Sequence, residues 1–255
     1  MKPRSSEAGG ACAALILAAG KGTRMKSDMP KVMHTLAGRE LVRWVIDAAR
    51  AAGLDPVILV VGHQAERVRE ALAGEPGLRF VVQAEQLGTG HAVQMAAPEL
   101  AGRGGEVLVL AGDAPLIRAE TLRALVDHHR ARGAAATVLT AELDDPAGYG
   151  RILRDAAGDV AAIREHRDAS EAERAVREVN SGIYCFRVDA LLAALRELRA
   201  DNDQAEYYLT DTLAILRTAG ETVAARLCGD AWEIAGVNDR DQLAAMERRV
   251  AEGGD

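Results

Sequence analysis

The chain has 255 residues, 49% of them hydrophobic and 27% charged, with a formal net charge of −7. That length suits one large α/β domain or a domain with a small lobe, and the acidic balance argues against a general nucleic-acid binder, because phosphate backbones favour broad basic surfaces. Cys12, Cys185 and Cys228 are far apart and form no CxxC or Cys/His ligand spacing, which argues against a disulfide framework or zinc site and fits a reducing cytoplasm.

In chain order, residues 1–12 read as a disordered leader. Lys2 and Arg4 ahead of the apolar stretch Ala11–Ala19 have the layout of a short signal peptide, but the run is too short to span a bilayer and no later segment is longer, so no membrane role is expected. Strand-like runs at Ala14–Ala19, Val57–Val61, Arg79–Val82, Val107–Ala111 and Ala136–Ala141 alternate with helical patterns at Glu40–Ala52, Gln64–Ala73, Gly90–Leu100 and Ala119–Arg132. Such alternation predicts βαβ units: an α/β fold with a mixed, mostly parallel sheet and helices on both faces. From about Asp144 turn signals, short strands and charge take over, which predicts a small insertion lobe over residues 144–210 within a domain of residues 13–240. "REVNSGIYCFRV" reads as a strand, "EYYLTDTLAILRTAG" as a helix and Thr222–Leu227 as a late strand. Residues 241–255 read as a charged helix and tail.

The chemistry concentrates in "LILAAGKGTRMKSDMPK", Leu15–Lys31, where a buried-looking strand runs into two glycines and then Lys21, Arg24, Lys26 and Lys31 against the single Asp28. A P-loop needs GxxxxGK[ST], and Gly22 is followed by Thr23 and Arg24. A dinucleotide fingerprint needs a third glycine where Met25 stands. What remains is a phosphate-binding turn, with glycines that let backbone N–H groups approach, the planar fork of Arg24 and the point charge of Lys31 behind Pro30; a plain glycine turn with solvated lysines is the alternative. Asp113 follows an apolar strand and Gly112, at the carboxyl edge where α/β proteins bind ligands; it is a metal-ligand candidate or a helix N-cap. Thr89 is likewise a ligand contact or a cap. Gln83 and Gln86 read as surface amides, Glu165 as a charge in a polar turn, and Asn180, inside an apolar run, as an amide that needs partners. His128 and His129 fall on a polar helix face, and no histidine has metal spacing.

"LAAGKGTRM…PK", "QAEQLGTGHA", "AGDAPL", "GYGRI", "EHRDAS", "EVNSGIY", "EYYLTD" and "GVNDR" follow in order from Leu15 to Arg240. Together they resemble the sugar-phosphate nucleotidyltransferases, and within them the uridylyltransferase branch that makes UDP-N-acetylglucosamine. The resemblance implies a Rossmann-like nucleotidyltransferase fold and Mg²⁺-dependent transfer of a uridylyl group from UTP to N-acetylglucosamine 1-phosphate. It implies that Leu17, Ala18, Ala19, Gly20, Gly22, Ala111 and Gly112 line the nucleotide and that Gln83, Gly88 and Thr89 read the uracil. Arg24 and Lys31 would hold the triphosphate, Asp113 and Asn238 the metal. Gly150, Glu165 and Asn180 would hold the sugar, with Tyr207 and Thr210 near its phosphate. Three positions depart from the branch: Ala111 where an aromatic is usual, Ala205 for a glycine and Ser181 for a threonine, which bears on affinity and selectivity. Bifunctional members continue into a hexapeptide-repeat β-helix acetyltransferase. No such repeat follows Arg240, so a chain without that domain, and without its trimerising element a monomer, is expected. Another sugar 1-phosphate or NTP, a dehydrogenase, or a non-catalytic sugar-nucleotide sensor are the rival readings.

Overall fold

The Ala13–Ala18 run is apolar on both faces, and a strand of that kind is stable only when both faces are covered. In the computed structural model, which describes residues 12–156, 158–202 and 204–253, it is β1, in the interior of the main sheet. The remaining strands are β2 (Thr35–Leu36), β3 (Arg39–Glu40), β4 (Val57–Val61), β5 (Arg79–Val82), β6 (Glu106–Ala111), β7 (Ala136–Glu142), β8 (Arg151–Arg154), β9 (Val160–Arg164), β10 (Glu178–Arg187) and β11 (Val223–Leu227). The helices are α1 (Leu41–Ala51), α2 (Ala65–Ala71), α3 (Thr89–Leu100), α4 (Ala119–Ala131), α5 (Glu171–Arg174), α6 (Val188–Glu197), α7 (Asp211–Thr218) and α8 (Arg240–Ala251).

The main sheet runs β11-β7-β10-β6-β1-β4-β5. Strand β1 is parallel to both β4 and β6, with Leu17 opposite Ala111. The chain leaves β1 for β4 and β5 on one side and returns to β6 on the other, so the strand order reverses between β1 and β6, the switch point at whose carboxyl edge α/β ligands bind. Alternate residues of β1 feed two cores. Ala14, Ile16 and Ala18 pack with α1, α2 and α4 on one face, and Ala13 and Leu15 pack with α3, α6 and α7 on the other. A third, small cluster ties Met25 of the glycine turn to Leu36, Leu41, Val237 and Met246.

The α/β architecture and the alternating elements agree with the sequence reading; several boundaries do not. Residues 1–11 of the expected leader lie outside the described residues. Cys12, its last member, is buried, and its carbonyl accepts a hydrogen bond from the Asp55 amide. The expected lobe ends early. Strand β10 pairs antiparallel with β6 and β7 inside the main sheet, and α6 packs in the same core as α3. What projects from the sheet is β8, β9 and α5, joined to β10 through the Val179–Arg151 pair. The helix expected from Glu206 begins only at Asp211, because residues 206–210 form a strap whose Tyr207 backbone pairs with Leu87 and Gly90. The expected C-terminal helix is present as α8, and it packs onto the domain: Met246 is buried and Arg240 donates to the Met25 and Lys26 carbonyls. His129 faces the core rather than a polar face. Its Nδ1 lies 2.9 Å from the Thr137 hydroxyl, and burial pulls its pKa down to about 4, which keeps it neutral at pH 7.

Ala205, just before the strap, has φ +51, a region that a Cβ makes costly and glycine enters freely. Ala205→Gly is expected to stabilise the protein by up to about 1 kcal/mol, a Tm gain of about 2–4 °C, read by thermal melting.

Candidate active site

The carboxyl ends of β1, β4, β5 and β6 deliver Ala19-Gly20, Gly62, Gln83 and Gly112-Asp113 to one edge of the sheet. Two glycines there serve packing. A Cβ on Gly62 would stand 2.8 Å from the Ala19 Cβ, and one on Gly112 would stand 2.8 Å from the Leu17 carbonyl oxygen. Gly22, at φ +61, has a related task. A Cβ there would lie 2.6 Å from the Cβ of Lys31, so the bare glycine lets Lys31 cross beneath the turn.

The Lys31 ammonium pairs with the Asp113 carboxylate and donates to Asn238 Oδ1 at 3.1 Å. Residues 31, 113 and 238 therefore meet at one point. Asp113 is fixed through its carbonyl, which accepts from the Val237 amide at 2.9 Å. Asn238 is fixed through its own amide, which donates to Gln242 Oε1 of α8 at 2.7 Å. Gly236 lies close enough that a Cβ would stand 3.2 Å from Asp113 Oδ2. A carboxylate oxygen and an amide oxygen already converge on one cation. Both are hard donors, and Mg²⁺ takes one or two such protein ligands and completes its shell with waters and substrate phosphates. The donor set fits that ion. Among the described residues no group of three or more His, Cys, Asp or Glu forms a self-sufficient metal cage.

Beside this point opens a cleft of about 410 Å³, lined by Leu17, Ala18, Ala19 and Gly20 on one side and by Gln83, Gly88 and Thr89 on another, with Lys31, Ala111 and Asp113 at its floor. Gln83 is 3% exposed, so it is no surface amide. Its Nε2 donates to the Gly88 carbonyl at 3.0 Å and lies 3.1 Å from His91 Nδ1, which fixes the side-chain plane at the cleft wall. Gly88, at φ +105, caps α3. A Cβ there would lie 2.5 Å from the Tyr207 carbonyl oxygen. Thr89 is the first residue of α3, and its hydroxyl accepts from the Leu209 amide at 3.1 Å. That hydroxyl fastens the strap as well as lining the cleft. Ala111 leaves its stretch of wall low.

Of the residues expected at the sugar, Gly150, Glu165, Asn180 and Thr210 gather at the lobe, whereas Tyr207 packs against the start of α3. Gly150 is buried, and a Cβ on it would stand 3.5 Å from both Asn180 Cβ and Glu165 Oε1. Asn180 stands at the break in β10 register, its amide donating to the Gly150 carbonyl and its Oδ1 accepting from the Gly182 amide. Thr210 is buried and donates to Glu165 Oε1 at 3.4 Å. Tyr207 stacks obliquely on His91, ring centroids 6.3 Å apart. Burial, with Asp168 and Asp211 nearby, pushes the Glu165 carboxyl above the usual range against the lowering effect of Thr210. Ser181 is turned away: its hydroxyl donates to the Leu139 carbonyl at 2.7 Å and accepts from the Ile183 amide, so it shapes the β10 bulge. Arg24 stands apart from the nucleotide-sized cleft. It lies in a second opening of about 430 Å³, between the glycine turn and the lobe, together with Glu165. Lys21, Gln86, Gly182 and Glu206 also line the first cleft without having been expected there; Lys21 is one charge of the basic turn, and the other three lie within the quoted motifs "QAEQLGTGHA", "EVNSGIY" and "EYYLTD".

A switch-point cleft, a basic glycine turn and a carboxylate at the end of the neighbouring strand fit a nucleoside-triphosphate transferase, and the chain belongs to the MobA-like NTP transferase domain family, whose model matches residues 14–211. It is 56% identical over 236 residues to the bifunctional protein GlmU of Pelobacter propionicus, covering 92% of this chain and 51% of that protein. It is 54% identical over 239 residues to the bifunctional protein GlmU of Streptomyces avermitilis, covering 92% and 50%. A solved chain from Bacillus anthracis, described as a glucose-1-phosphate thymidylyltransferase and crystallised with sucrose, shares the fold with TM-score 0.75 over 96% of each chain at 17% identity. The chain spans about half the length of the curated relatives it matches. The nucleotidyltransferase class read from eight motifs is what the family gives. No helix among the described residues is long and apolar enough to cross a membrane.

Two variants test the site's construction. Gly88→Ala is expected to cost about 1–3 kcal/mol in urea unfolding, because its Cβ must displace the strap. Glu165→Gln is expected to melt higher than the parent at neutral pH. A carboxyl whose folded pKa is raised contributes its full stability below the unfolded pKa and loses it as pH rises through the folded one, so the advantage of Gln grows between acid and neutral pH and vanishes in acid.

Proposed function

We propose that the chain transfers a uridylyl group from UTP to N-acetylglucosamine 1-phosphate, giving UDP-N-acetylglucosamine and pyrophosphate. The observation that supports this best is the meeting of Lys31, Asp113 and Asn238 beside the switch-point cleft, read with the motif resemblance and the GlmU relatives. The uridine would lie between the Leu17–Gly20 turn and Gln83, with the backbone at Gly20 beside the phosphates. Asp113 and Asn238 would hold Mg²⁺, which when bound supplies charge neutralisation for the phosphates. Lys31, released from the two oxygens it now bridges, reaches the same phosphates, and Arg24 meets the far end of the triphosphate. Glu165, Gly150 and Asn180 would take the sugar hydroxyls and acetamido group.

An oxygen of the sugar phosphate forms a bond to the α-phosphorus as the bond from that phosphorus to the bridging oxygen breaks, and pyrophosphate departs with the electron pair. The attacking phosphate is ionised near neutral pH, so no general base is required. The protein's part is alignment and charge stabilisation, as in other phosphoryl-type transfers. Ala111 favours a second reading in which another sugar 1-phosphate or another base is preferred, because it lines the cleft at a position where the resembled branch usually has an aromatic.

Pyrophosphate release across the four common NTPs and several sugar 1-phosphates is the test. A maximum at UTP with N-acetylglucosamine 1-phosphate is expected. A maximum elsewhere selects the second reading, and silence in every combination from folded protein contradicts both. Asp113→Ala is expected to lower turnover at least about a hundredfold in the same assay; near-parental turnover would remove Asp113 from the mechanism.

A further inference from the structure

The second opening has a wall that the reaction scheme leaves unused. Thr23 and Arg24 form one side, and Gly148, His166 and Arg167 of the lobe form the other. Arg24 and Arg167 are both exposed, and among the described residues neither has an ion-pair partner, in a protein of net charge −7 in which two other lobe arginines are paired, Arg154 with Glu178 and Arg164 with Glu173. Among the described residues, the Arg167 side chain makes one hydrogen bond, to Gln204 Oε1 at 3.2 Å. His166 beside it carries a solvent-shielded Nδ1 without a hydrogen-bond partner.

The loop that presents Arg167 is held by two further cations. Arg174 donates to the carbonyls of His166 and Arg167. Arg151, 2% exposed, donates to the carbonyls of Arg174 and Tyr149. The guanidinium groups of Arg151, Arg167 and Arg174 thus gather at this loop, with Glu165 and Asp168 as carboxylates in the same region. The carboxylate in the opening, Glu165, has its Oε1 bonded to Thr210. The two clefts are also consecutive along the glycine turn: Gly20 and Lys21 line the first, Thr23 and Arg24 the second. A phosphate chain that starts beside Gly20 therefore runs toward the opening between the two guanidinium forks, which suit bidentate binding of phosphate oxygens.

We propose that Arg167 is a second phosphate-binding cation, supplied by the lobe, that faces Arg24 across the terminal phosphates of the NTP and holds them as pyrophosphate when they leave. This deepens the nucleotidyl-transfer reading and rests on it. The test is calorimetric titration of the parent protein, Arg167→Ala and Arg167→Lys with inorganic pyrophosphate and, separately, with uridine monophosphate, alongside the KM for pyrophosphate in the reverse reaction. Arg167→Ala is expected to weaken pyrophosphate binding about tenfold to a hundredfold, the scale of lost hydrogen bonds to a charged group, with the monophosphate Kd within about twofold. Arg167→Lys, which keeps charge without the fork, is expected in between. Unchanged pyrophosphate affinity in Arg167→Ala overturns the proposal while leaving the transfer reaction standing. An equal loss of both ligands also overturns it, since that assigns Arg167 to the shape of the lobe. A parent protein that releases no pyrophosphate from any NTP removes the underlying reading, and this one with it.

Discussion

The bridge from the Lys31 ammonium to Asp113 and Asn238 is the constraint on which the rest of the site depends. Its members come from the glycine turn, the end of β6 and the segment before α8, and the ion pair is largely shielded, with side-chain exposures of 18% and 17%. A half-buried carboxylate without a partner is costly, so the position of Asp113 requires a cation beside it in the free protein. Lys31 fills that need only because Gly22 has no side chain to block it. Met25 secures the turn in the small third core, and α8 adds Met246 to that core and Gln242 to the amide of Asn238. Packing far from the chemistry thus fixes the distance between two oxygens.

A second set of contacts joins the wall of the first cleft to the lobe. The strap at residues 206–210 is bound to the Leu87–Gly90 turn through backbone hydrogen bonds and the Thr89 hydroxyl. Its last residue, Thr210, reaches Glu165 under the lobe. The same region carries two local costs, the left-handed backbone of Ala205 and the desolvated carboxyl of Glu165. Such costs persist where a site needs a group that stability alone would not choose.

The parts of the fold that rest on apolar periodicity were legible in the sequence. Strands β1, β4, β5, β6 and β7 follow from mostly apolar, β-branched-rich runs, and the parallel pairing of β1, β4, β5 and β6 follows from the helices between them. The place of β10 was not legible. An apolar run after a polar insertion reads the same whether it stays in a lobe or returns to the sheet, and only pairing with β6 and β7 decides. Cys12 was assigned to the leader because the polar segment before it hides the point where burial begins. At the site, the residue types at the strand ends were readable, and the resemblance supplied their roles. The geometry added what spacing cannot carry: that Gly22 makes room for Lys31, that Thr89 fastens the strap, that Ser181 shapes a bulge and that Arg24 faces a second opening.

The most direct measurement is Mn²⁺ binding, used as a surrogate for Mg²⁺ at oxygen ligands and followed by electron paramagnetic resonance in the presence of UTP. The parent protein is expected to bind the ion with the nucleotide, and Asp113→Ala and Asn238→Ala are each expected to lose that binding while remaining folded. Undiminished Mn²⁺ binding in either variant would contradict the account, because the two oxygens now bridged by Lys31 would then not be the ones that receive the metal.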